Sequence, residues 1–139
     1  LRRRLIPALG AMEISCELEG REFDWFAIDQ DGHLALFATG GCGPIPEHVR
    51  VASELHDAMS DTLSVTGWGT DAVWQSYSRI GLFAYDWSVQ QNCYVQVAKP
   101  IAPPSLELQV RVRSCSSLAK LDVSFQDLTV LRPNWQNGT

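Results

Sequence analysis

Basic charge is scarce in this chain: 11 Lys and Arg stand against 16 Asp and Glu in 139 residues, a net charge of -5. A duplex-binding protein normally carries a basic face that displaces counterions from phosphates, so this balance argues against nucleic acid and for a protein partner of basic character. Long apolar runs are missing too. None approaches the roughly 20 residues that cross a bilayer and nothing reads as a signal-peptide core, which excludes a membrane partner and makes a cytoplasmic location the expectation. The cysteines, Cys16, Cys42, Cys93 and Cys115, form no C-x-x-C pair, and no H-E-x-x-H occurs among the three histidines. Neither a zinc site nor a disulfide framework is therefore expected, and the thiols read as reduced. There is no internal repeat and no low-complexity segment.

What is present suits one domain with a core of its own. Charged residues are 19%, while five Trp, five Phe and three Tyr supply large apolar area, a composition that folds. The first eleven residues, LRRRLIPALGA, differ in character from the chain after Met12 and are expected to be a leader or tag remnant, with residues 12–139 as a single domain. Residues 13–19, EISCELE, alternate as a half-buried strand does. FDWFAI and HLALFAT then flank DQDG, whose aspartates and Gly32 predict a hairpin turn. Both arms are apolar on both sides except at Asp24 and His33, so this hairpin should be central.

In residues 46–61, Val49, Val51, Ala52, Leu55, Ala58 and Met59 fill half of a helical wheel, opposite Glu47, Glu54, Asp57 and Asp61. This predicts one long amphipathic helix with an acidic outer face, opened by Pro46. Residues 71–79 predict a short helix capped by Thr70 and ended by Gly81. LFAYDWSV and CYVQVA predict a second hairpin, and the alternation in LELQVRVR and KLDVSF predicts two more strands after the proline break KPIAPP. The sum is an α+β fold on a mainly antiparallel sheet.

Few motifs carry chemistry. The loop GGCGP lacks both phosphate-loop spacings, so no cofactor is expected. Cys42 lies shortly before a helix start, a place that can lower a thiol pKa, with His33 or His48 as a base and Asp24 beside them in an enzyme reading. That reading is secondary, because no group is identified to orient the base. DQDGH fails as a calcium loop: Ala27 and Ala38 stand where carboxylates are required. His56 reads as a residue at the core boundary. Asp24 and Asp86 each precede a Trp and make a conceivable carboxylate pair, although strand aspartates beside aromatic anchors are the commoner case. Trp68, in a glycine-flanked loop, and Tyr85 and Tyr94, on hairpin faces, are candidates for exposed anchors.

The pattern D-W-F-x-x-D-x-x-G-x-x-x-x-F-x-T-x-G-x-x-x-x-P, with a later G-L-F-x-Y-D-W, resembles a group of small uncharacterised bacterial proteins across residues 13–100. Asp24, Trp25, Gly32, Phe37, Pro44, Gly81, Tyr85, Asp86 and Trp87 carry the likeness. The resemblance implies an immunity-type or accessory binding protein and transfers no catalytic residue. The leading expectation is thus a non-enzymatic binding protein, an immunity-type inhibitor of a basic toxin, acting through Glu47, Glu54, Asp57, Asp61, Trp68, Tyr85 and Tyr94. The alternative is a small thiol enzyme centred on Cys42.

Overall fold

The computed structural model describes residues 22–63 and 65–132. The expected leader and the strand at 13–19 lie outside them, as does most of the polar C-terminal segment. The elements are β1 (Asp24–Ile28), β2 (Leu34–Ala38), α1 (Glu47–Arg50), α2 (Ser53–Asp61), α3 (Ala72–Arg79), β3 (Phe83–Ser88), β4 (Cys93–Ala98), α4 (Leu106–Arg113), β5 (Ala119–Lys120) and β6 (Val130–Leu131). They build a six-stranded sheet in the order β5-β1-β2-β3-β4-β6.

The fold is α+β, but the sheet is mixed. β1 with β2, β3 with β4 and β4 with β6 are antiparallel, whereas β2 with β3 and β1 with β5 are parallel. A parallel neighbour requires a long crossover, and the chain between β2 and β3 provides one that carries three helices.

Both predicted hairpins form. At the first turn Asp29 accepts backbone N–H bonds from Asp31 (3.0 Å) and His33 (2.8 Å), and Gly32 has φ 88°. Strand alternation then divides the aromatics between two faces. On one face Trp25, Phe37 and Tyr85 stand opposite one another across β1, β2 and β3 and stack at 4.4 and 4.8 Å between ring centroids. Phe125 and Tyr94 close this core. On the other face Phe26, Leu36 and Ala84 are covered by Met59 of α2, Val73 and Tyr77 of α3, and Leu108 and Val112 of α4.

The long helix expected at 46–61 is two helices, interrupted at Val51 and Ala52. Val49 packs into the aromatic core and Met59 into the opposite one, so the segment must turn around the sheet, which a straight helix cannot do. Val51 is 66% exposed and Leu55 44%; the wheel had merged two segments that serve different faces. His56, expected at the core boundary, is fully buried. Its Nδ1 accepts the Phe26 N–H at 3.0 Å and its Nε2 lies 3.2 Å from the Ser117 carbonyl, the arrangement of a neutral ring protonated on Nε2. The ring thereby replaces a neighbouring strand where β1 extends beyond β5.

LELQVRVR is α4, not a strand. At 100° per residue Leu108 and Val112 share the buried side while Leu106 and Val110 face solvent. Ser105 caps the helix by accepting the Leu108 N–H at 3.0 Å, and Glu107 pairs with Arg111 four residues on at 2.9 Å. In KLDVSF only the first residue pairs as β5, together with Ala119. Beyond it the chain is held singly, Leu121 N–H on Ile28 O and Phe125 N–H on the Asp29 carboxylate.

Candidate functional site

In the row below Trp25, Asp24 stands opposite Ala38 and Ala38 opposite Asp86. Residues directly opposite point to the same face, and strands lie about 4.8 Å apart, so the two aspartates flank the small Ala38 with roughly 10 Å between their backbones. Larger side chains fill the same face further along the sheet. Here an alanine floor leaves a cavity of about 230 Å³, roofed by Trp74 and Tyr77 of α3 and by Trp68 of the loop before it. Glu22 and Asp71 reach the rim, so the lining has four carboxylates and no basic side chain.

The loop that carries Trp68 is set by its glycines. Gly67 and Gly69 have φ 80° and 81°, and Thr70 folds back to Gly67, its N–H and its hydroxyl both donating to that carbonyl at 2.9 and 2.7 Å. Trp68 remains 60% exposed and meets Tyr77 edge-on at 6.4 Å. The expected cap is displaced: Asp71 stands at the N-cap of α3 without a side-chain bond, and Thr70, one residue earlier, accepts the Ala72 N–H at 3.3 Å.

Burial dominates the electrostatics of the floor. It pushes the Asp24 carboxyl up to about 6, against the Ser60 hydroxyl that donates to it at 3.4 Å and with added repulsion from Glu22, Asp57 and Asp86. Asp86 is raised as well, by burial first and then by Asp71 and Glu22, while a backbone hydrogen bond with Trp87 opposes the shift. Two carboxylates raised by burial thus share one pocket with the exposed Trp68 ring, Trp74 and the buried Tyr77, an arrangement of negative charge and aromatic surface.

Of the binding residues expected from the sequence, Trp68 belongs to this pocket and Asp57 contributes to its field. Glu54 and Asp61 are exposed on α2. Glu47 is exposed and bound by Arg50, whose hydrogen bonds hold its carboxyl below the usual range. Tyr85 and Tyr94 are corrections: both are fully buried. The Tyr85 hydroxyl donates to Leu128 O at 2.7 Å, and that of Tyr94 donates to Pro44 O at 2.8 Å while accepting the Trp25 indole N–H at 3.2 Å. Burial raises both hydroxyls, Tyr85 to about 12. The alternation identified their strands correctly, yet β3 and β4 are covered on the faces where these rings lie.

Cys42, His33 and Asp24 do not assemble. Cys42 is exposed and comes after β2 in the chain, whereas His33 precedes it; five residues of strand separate them by roughly 17 Å or more. The His33 ring sits instead 3.4 Å from Asp29 and 5.5 Å from the Phe83 ring. The GGCGP loop has a structural account. Gly40 and Gly41 take φ 61° and 94°, and a side chain at Gly43 would meet the Tyr94 hydroxyl at 2.6 Å. Asp29, Asp31 and His33 bring donor atoms within 4.8 Å of one another, but the Asp29 oxygens already accept three backbone N–H groups, from Asp31, His33 and Phe125. Asp29 thereby ties the turn to the segment that carries Phe125. The Asp24 and Asp86 pair considered from the sequence does converge. Asp71, Trp74 and Tyr77 have no local signal that joins them to Asp24, because only the crossover sets α3 against β3 and β4, and Glu22 lies just before β1. No helix among the described residues is long and apolar enough to cross a membrane. Searches against protein-family models, curated proteins and solved structures return no match to this chain.

Proposed function

We propose that this protein is a binding protein whose recognition site is the acidic aromatic pocket, and that the pocket receives a cationic group, the side chain of a lysine or arginine on a basic protein partner. The observation that carries this reading is the row Asp24, Ala38, Asp86 beneath Trp68, Trp74 and Tyr77. A cation over an aromatic face gains about 0.5–2 kcal/mol, more as water is excluded, and a partly buried carboxylate adds a charge-assisted bond. The acidic face of α2, with Glu54, Asp57 and Asp61, steers a basic partner toward the site. Inhibition of a basic toxin, the immunity-type role that the sequence resemblance implies, fits this arrangement. The thiol-enzyme alternative has no such support, since Cys42 and His33 lie far apart.

The test is titration with N-acetyl-lysine amide and N-acetyl-arginine amide, monitored at the Trp68 indole N–H resonance. Saturable shifts are expected for at least one of the two, and Asp24→Asn should weaken binding at least about tenfold, near 1.4 kcal/mol. Silence at Trp68 with both compounds would refute the reading.

The same substitution has a signature in stability. The folded-state value of Asp24, about 6, is above its ordinary 3.8, so the native state holds its proton more tightly and loses stability as pH rises through that window. Asp24→Asn removes the penalty. It is expected to raise the unfolding free energy by about 1–3 kcal/mol near pH 7.5 and by almost nothing near pH 4. Urea unfolding at the two pH values checks this, and an equal change at both would mean that the carboxylate is not strained in the pocket.

A further inference from the structure

A second cavity lies at the opposite end of β2, and its chemistry is the reverse of the first. It encloses about 470 Å³ between the β1–β2 turn, the start of β3, the proline segment after β4, and α4. Its walls are apolar, with Leu34, Phe83, Ile101 and Pro103 among them. No acidic residue lines it, although the protein carries a net charge of -5. The one fixed charge in the lining is the Arg113 guanidinium. It donates to Gly32 O at 2.8 Å and makes no ion pair among the described residues, which leaves most of its five N–H donors available. His33, next to Gly32 on the β1–β2 turn, also lines the cavity. Gln126, also in the lining, accepts the Lys99 Nζ on its carbonyl at 3.1 Å.

The proline wall is fixed at both ends. Ile101 N–H donates to Ser78 O at 3.1 Å, and the Gln109 side chain donates to Pro104 O at 3.1 Å. Volume, apolar lining and a few convergent polar groups are the attributes of a small-molecule site. The polar groups here select an anion.

We propose that this cavity binds a small organic acid with an apolar body, the alkyl chain against Ile101 and the proline wall and the carboxylate on Arg113. A guanidinium and a carboxylate form a bidentate contact that neutral or cationic analogues cannot make. This site is independent of the cation pocket, and the two can fail separately.

Three probes of equal chain length decide it: octanoate, octanol and octylammonium, each titrated into the full chain with backbone amide resonances as readout. Octanoate is expected to shift Gly32, Leu34 and Gln126 saturably, and octanol to bind at least about tenfold more weakly. Arg113→Gln, checked for folding by thermal melting, should remove the preference for octanoate. Ile101→Glu places a negative charge in the wall and should abolish octanoate binding by a different route. Octylammonium is expected at Trp68 and Asp86 instead, so it reports on the other pocket. Equal binding of octanol and octanoate, an unchanged Arg113→Gln variant, or no saturation up to the micellar limit would each overturn the proposal.

Discussion

Gly81→Ala is expected to destabilise the protein by about 3–5 kcal/mol, the sum of a strained backbone and an overpacked contact. Gly81 has φ 95°, outside the range that side chains tolerate, and a Cβ there would lie 2.4 Å from Pro104 N and 2.5 Å from Pro104 Cα. Those are backbone atoms, and the segment that contains them cannot swing aside. Pro104 O holds Gln109, and the next residue, Ser105, caps α4. Relief would require α4 to shift and with it the buried Leu108 and Val112. Gly40 supplies the internal control: its φ is 61° but nothing lies within 4 Å of an added Cβ. Gly40→Ala should therefore cost only the conformational part, about 1 kcal/mol. Urea unfolding of both variants separates the terms. A loss at Gly81 no larger than at Gly40 would show that the proline segment yields freely.

His56→Ala is the second large effect, at about 3–5 kcal/mol. It leaves the Phe26 N–H and the Ser117 carbonyl buried without partners and opens a cavity between β1 and α2. His56→Gln, which can both accept and donate, should recover part of the loss, whereas a purely apolar replacement should not. Burial lowers the pKa of this histidine, helped by the nearby charge of His48 and opposed by the hydrogen bond to Ser117 and the charge of Asp57. The unfolded chain therefore takes up a proton that the folded protein refuses. The stability that His56 contributes is complete above about pH 6.5 and is lost on acidification. Asp24 acts in the opposite sense between its ordinary value and about 6, so the slope due to His56 is measured in the Asp24→Asn background. An acid limb of the same steepness with and without His56 would remove this histidine from the pH dependence.

The parts of the fold that were legible in the sequence are those fixed by neighbours in the chain. The hairpin turn was readable because Asp29 and Gly32 act within five residues, and α3 because Thr70 and Gly81 bracket it. LELQVRVR misled because alternation in a helix still gives an i, i+4 pair, Leu108 with Val112, on one side; Ser105 after two prolines, and Glu107 four before Arg111, were the local signals that favoured a helix. The break at Val51 and Ala52 had no local signal. It is imposed by the sheet, which needs Val49 on one face and Met59 on the other. The candidate site divides in the same way. Asp24, Asp86 and Trp68 are each visible in the sequence, but their convergence rests on the parallel pairing of β2 with β3, a contact between segments more than forty residues apart. Tyr85 and Tyr94 lie on hairpin faces that stacked rings cover, a packing that the alternation of a strand does not reveal.

That break has a consequence for how the molecule comes apart. A segment anchored by Val49 in one core and by Met59 in the other, with His56 seated on the strand edge between them, couples two hydrophobic layers that a flat helix would leave separate. Neither layer can open while the clasp holds. Amide protons beneath both faces should accordingly exchange through one shared opening event, with a common free energy, rather than as two independent units.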